Sequence, residues 1–167
     1  MVQVSITDVS AFALPQLGEP VNPVGLAYQA DFYEHDETDI MYLIDRETMS
    51  VFRWSSVQDN YLATWPLINP PKWATFSISH NRLYLGYESG KITYFNPSQD
   101  SPIETHFASL ASGIEGLLAA GDYLFAADFS GAGSSHHSFD MNGTLIDSEE
   151  WRETAAQYAW NSLTQES

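Results

Sequence analysis

The sequence predicts an all-β chain built from repeated units of four antiparallel strands. Three observations lead to this. Residues 81–97 read as a complete β-hairpin, in which the apolar runs 83–87 and 92–95 flank Glu88, Ser89, Gly90 and Lys91, a polar turn whose glycine can take positive φ. The hairpin recurs in altered form on either side: Leu43, Leu85 and Phe125 stand 42 and 40 residues apart, and Trp54, Phe95 and Phe139 stand 41 and 44 apart. Helix has almost no place, since only residues 148–160 have a helix-compatible composition.

The chain can be taken in order on that frame. Residues 1–24 hold one alternating run, 2–9, followed by Pro15, Gly18, Pro20 and Pro23, and so predict a strand and an extended linker. Residues 25–72 form the first unit, with strands around 25–28, 41–44, the run ending at Trp54, and 61–65. Residues 73–114 form the second, with strands at 74–77, 83–87, 92–95 and 103–107. Residues 115–155 form the third, with strands at 116–119, 123–126, the run ending at Phe139, and 144–147, where Asn142 and Gly143 suit a type I′ turn. Residues 156–167 read as the first strand of a truncated fourth unit.

A period of about 40 to 50 residues with four strands per unit is that of propeller blades. The fold class is therefore a β-propeller-like array of four-stranded antiparallel blades, incomplete because propellers close with about four to eight. A β-sandwich, which also spaces short strands with turn signals, is the alternative architecture.

Composition narrows the partners. A chain of 167 residues that is 44% hydrophobic and 14% aromatic can bury a real core. Six Lys and Arg against twenty-two Asp and Glu give a formal charge of -16, a field that repels phosphate backbones and anionic lipid. Nucleic acid is excluded as a partner; protein and glycan ligands remain. The absence of cysteine removes disulfides, thiolate zinc sites and cysteine nucleophiles. No apolar run approaches the roughly 18 residues of a membrane helix. The N-terminus lacks a basic region and is not a signal peptide. The expected location is extracellular or periplasmic, within a longer exported chain, with the cytoplasm as the alternative.

The segment 83–97, a strand ending in small residues, a Ser-Gly turn and a strand closing on an aromatic, resembles the blades of bacterial YVTN and quinoprotein-like β-propellers. The resemblance covers about residues 25–160 and its motifs are architectural. It implies binding scaffolds, lyases or quinone-dependent dehydrogenases. No cofactor-clamping or calcium-ligating signature of the dehydrogenases is present. WD-repeat proteins match less well, because no Trp-Asp or Gly-His pair occupies the expected place.

Candidate functional residues follow from the loops between second and third strands, which share one face of such an array. Each carries an acid just after the second strand: Asp45, Glu88 and Asp128. Three carboxylates on one rim would suit a cation or a basic group. The loop after Asp128 is the longest and brings adjacent His136 and His137, the chemistry of a divalent-metal site, although neighbours on a strand point to opposite faces. The acids at 34–39 read as a solvated loop and Asn142 as a turn residue rather than a glycosylation site. Exposed tryptophans would stack on sugars; at these repeat positions Trp54, Trp65, Trp73, Trp151 and Trp160 are expected to pack between blades.

Two functions follow. One is a non-enzymatic scaffold or binding module for protein or glycan, with no cofactor and with self-association through exposed blade faces and edges. The other is a metal-dependent enzyme or binder using Asp128, His136 and His137, for which a divalent cation is the cofactor class.

Overall fold

The computed structural model describes residues 23–29, 40–55, 58–129 and 133–151. The expectations for 2–9, for the acidic loop 34–39 and for the fourth-blade strand after residue 156, with Trp160, lie outside them. The described residues hold thirteen strands and no helix.

The strands form three antiparallel sheets, each a meander in chain order. The first contains β1 (Pro23–Gln29), β2 (Ile40–Asp45) and β3 (Ser50–Ser55), and two short pieces complete it, β4 (Asn60–Tyr61) and β5 (Trp65–Pro66), both paired with β3. The second runs β6 (Trp73–Ser77), β7 (Arg82–Gly86), β8 (Lys91–Phe95), β9 (Thr105–Ser109). The third runs β10 (Ile114–Ala120), β11 (Tyr123–Phe129), β12 (Ser134–Asp140), β13 (Leu145–Trp151). The first strands β1, β6 and β10 are neighbours across successive sheets, which makes the sheets the blades of an arc rather than the halves of a sandwich.

Three local differences from the sequence reading have physical causes. The fourth strand of the first blade is split because Trp65 lies four positions after Tyr61 whereas their partners Trp54 and Val51 are three positions apart. The extra residue bulges, and Arg53 Nε donates to the Ala63 carbonyl at 2.8 Å. Residues 148–151 are strand, not helix, because β13 pairs along β12 from Leu145 to Trp151. The turn at Asn142 is not type I′, which needs positive φ at both central residues. Of these turn residues only Gly143 has positive φ (+84°), and its N–H donates to the Asp140 carbonyl at 3.0 Å. That is a type I turn closed by a left-handed glycine. The turn at Tyr87, Glu88, Ser89 and Gly90 is built the same way, with Gly90 at φ +81° and its N–H on the Tyr87 carbonyl at 3.0 Å.

The core lies between blades. Tyr42, Ile44, Val51, Trp65 and Leu67 of the first blade meet Phe76, Leu83, Leu85, Tyr87 and Phe95 of the second. Tyr84, Ile92, Phe107 and Ala108 on the second blade's other face meet Ile114, Leu117, Leu124, Ala126 and Phe139 of the third. Both faces of β7 are therefore covered, which is why its sequence is a continuous apolar run instead of an alternation. Close approach is enforced at Gly86, where a Cβ would sit 2.8 Å from the Ile114 side chain.

Leu85, fully buried between the first two blades, should lose about 2–5 kcal/mol of stability as Leu85→Ala, read by urea unfolding. Two left-handed glycines provide a contrast. Gly121 has open space around it, so Gly121→Ala should cost only the roughly 1–2 kcal/mol of the left-handed backbone. A Cβ on Gly90 would lie 2.4 Å from the Leu110 carbonyl oxygen, so Gly90→Ala should cost clearly more.

Candidate functional site

The loops β2–β3, β5–β6 and β7–β8 share one rim of the first two blades. Backbone hydrogen bonds fix them: Leu67 N–H donates to the Met49 carbonyl at 2.8 Å, Lys72 N–H to Gly86 at 2.7 Å, and Tyr87 N–H to Lys91 at 3.0 Å. Between them opens a cleft of about 320 Å³ lined by Arg46, Asn69, Pro70, Lys72, Tyr87, Glu88, Ser89 and Lys91. Tyr87 forms part of its wall and donates its hydroxyl to Glu104 at 2.6 Å; burial and this partner push the phenol well above its ordinary pKa.

The three rim acids have different surroundings. Asp45 is fully buried, and its carboxylate accepts from Glu47 N–H at 2.9 Å and Thr48 Oγ1 at 2.8 Å, so it holds its own turn. Glu88 is exposed and borders the cleft. Asp128 is 5% exposed at the end of β11 and faces the second strand-borne candidate, His137. No group of three His, Asp or Glu side chains is close enough to hold a metal among the described residues.

The structure places His136 and His137 in β12 rather than in a loop, because β12 pairs on both sides, with β11 and with β13. Alternation then separates them. His137 shares a face with Asp128, the Nε2–Oδ1 distance being 3.4 Å, and its Nδ1 lies 3.0 Å from Ser148 Oγ on β13. Ser148, His137 and Asp128 thus form a row across three adjacent strands. Its ring orientation is the reverse of a serine-hydrolase triad, where Nε2 meets the serine. His136 points to the opposite face, where burial above all, with His137 adding, holds its imidazole below the ordinary pKa against the opposing pull of Glu149 and Asp128.

The cations of the cleft are what the sequence reading missed. Arg46, Lys72 and Lys91 are three of only six Lys and Arg in the chain. For Arg46 and Lys91 the available signal was their position at equivalent turns, Arg46 directly after Asp45 and Lys91 at the end of the template turn; Lys72, in the connection between blades, carried none. The described tryptophans Trp54 and Trp65 are buried and Trp73 is partly so, leaving none of these three as an open stacking platform.

No protein-family profile and no curated protein sequence matches the chain. Solved structures do. The chain is similar to the structure of U3-55K at TM-score 0.63 and 13% identity, over 80% of this chain and 41% of that one. It is similar to the RRP9 WD40 repeats at TM-score 0.61 and 14% identity, over 78% and 39%. It is similar to Kuenenia stuttgartiensis hydrazine synthase at TM-score 0.59 and 13% identity, over 77% and 37%. The chain spans about two fifths of the length of these structures, and the likeness is one of fold, of the WD40 and β-propeller type.

A depressed histidine pKa disfavours protonation in the folded state. Its contribution to stability is complete above the unfolded value near 6.5 and declines as pH falls below it. Stability measured by urea unfolding should therefore drop between about pH 7.5 and 5.5, and His136→Gln should flatten that drop. Asp140, whose carboxyl is depressed chiefly by accepting the Thr144 N–H, acts in the same sense but lower, its contribution being lost only as pH falls through its folded pKa, below about 4.

Proposed function

We propose that the chain is a non-enzymatic binding module, a propeller scaffold that holds a protein partner on the loop-bearing rim of its first two blades. The observation that carries this reading is the cleft itself, framed by backbone hydrogen bonds and lined by polar side chains. By contrast Asp45 is engaged in its own turn. Protein is favoured over glycan because Trp54 and Trp65 are packed inside the sheets. The blades are read as YVTN or quinoprotein-like on the strength of the 83–97 hairpin.

The Ser148, His137 and Asp128 row supports a second reading, a hydrolytic or other acid–base site on the third blade. The two readings separate in one experiment. Purified chain assayed against generic ester, phosphoester and glycoside substrates should show no turnover above buffer, and His137→Ala should change nothing. Turnover that His137→Ala and Asp128→Asn both remove would replace the scaffold reading with the enzymatic one.

A further inference from the structure

Charge is distributed very unevenly in this protein. Against a formal charge of -16, half of the six cationic side chains line one cleft. The other two described cations are occupied within the fold. Arg53 donates to the Ala63 carbonyl and its guanidinium lies 4.4 Å from the centroid of the Trp65 ring. Arg82 donates to the Met141 carbonyl at 2.7 Å and lies 4.4 Å over Tyr94. In the cleft, Lys72 is paired with Glu115 at 2.6 Å. Arg46 and Lys91 make no ion pair or side-chain hydrogen bond among the described residues, and Arg46 is exposed.

With Lys72 paired to Glu115, the two partnerless cations Arg46 and Lys91 outnumber the one lining carboxylate, Glu88, so the cleft offers positive charge inside a repulsive field. A long polyanion entering it would meet the surrounding acids, so the cleft selects a ligand with few negative charges, delivered locally. Arg46 offers the planar fork that grips a carboxylate, Lys91 a point charge, and Asn69 and Ser89 neutral hydrogen-bonding groups. Pro70 and the Tyr87 ring provide an apolar wall, and about 320 Å³ is near the lower end of ligand pockets, room for a side chain or two.

We infer that this cleft is a carboxylate-recognition site for a short acidic segment of a protein partner, with Arg46 and Lys91 as the binding cations and Glu88 as a gate that disfavours more highly charged ligands. The inference rests on the binding-module reading and names the chemistry of its ligand.

The test is an amide-resolved NMR titration of the full chain with a blocked hexapeptide, Gly-Ser-Glu-Glu-Ser-Gly, and with its glutamine counterpart. The glutamate peptide should give saturable shifts centred on Arg46, Asn69, Lys72, Ser89 and Lys91, and the glutamine peptide should bind at least roughly tenfold more weakly. Arg46→Gln combined with Lys91→Gln should weaken binding by a similar factor while the remaining spectrum stays in place, and Glu88→Gln should tighten it. Equal binding of the two peptides, shifts centred elsewhere, or an unaffected double variant would overturn the inference. So would inorganic phosphate shifting the same amides at lower concentration than the glutamate peptide does. Turnover dependent on His137 would remove the binding-module reading as a whole; a chain without turnover that ignores the glutamate peptide removes the carboxylate site alone.

Discussion

The carbonyl of Tyr87 is where the local turn and the blade array meet. It accepts the N–H of Gly90, which closes the β7–β8 hairpin, and the N–H of Ile114, which begins the next blade, each at 3.0 Å. The Gly90 carbonyl in turn accepts the Leu110 N–H at 2.9 Å, and a Cβ on Gly113 would lie 2.6 Å from the Glu88 carbonyl oxygen. A single hairpin turn is thus clamped to the connection between blades, with no space for side chains at either glycine. A different hairpin, the β12–β13 turn, also packs closely on a neighbouring blade, the absent Cβ of Gly143 leaving room for the Phe107 carbonyl oxygen of β9. Directional backbone bonds set the angle between blades, and the apolar clusters on both sides of β7 supply the driving force.

The same clamp positions the cleft. Tyr87, Glu88, Ser89 and Lys91 belong to the clamped turn, and Lys72 is held by its own N–H on Gly86. A rim whose backbone is fixed from both sides is a preorganised surface, which lowers the entropic cost of holding a ligand. Arg53 over Trp65 shows the other use of a cation here, covering the aromatic that seals the first interblade core. Arg53 and Arg82 are thus held by the fold, whereas Arg46 and Lys91 stand at the rim without a side-chain partner among the described residues.

Much of the architecture was legible because it depends on local patterning. The hairpin at 81–97 carries its own turn chemistry, and its recurrence near every 41 residues needs no tertiary information. What was less legible depends on neighbours. The type I turn at Asn142 is chosen by Asp140, whose carboxylate accepts the Asn142 and Thr144 N–H groups at 2.9 and 2.8 Å. The extension of β12 through the two histidines depends on pairing with β11 and β13. Asp45 and Asp128 looked alike in sequence and differ in partners, one engaged by its own turn and one by a histidine two strand positions from its register partner. The cations of the cleft come from the β2–β3 turn, the β5–β6 connection and the start of β8, and only folding brings 46, 72 and 91 to one rim.

Native-state hydrogen exchange at the Ile114 amide tests the central claim most directly. If the bond to the Tyr87 carbonyl couples the blades, Ile114 and Gly90 should exchange only with the opening that releases the β7 core amides, with matching free energies and matching denaturant dependence. Exchange of the Ile114 amide at loop-like rates, independent of denaturant while the β7 amides stay protected, would contradict the account.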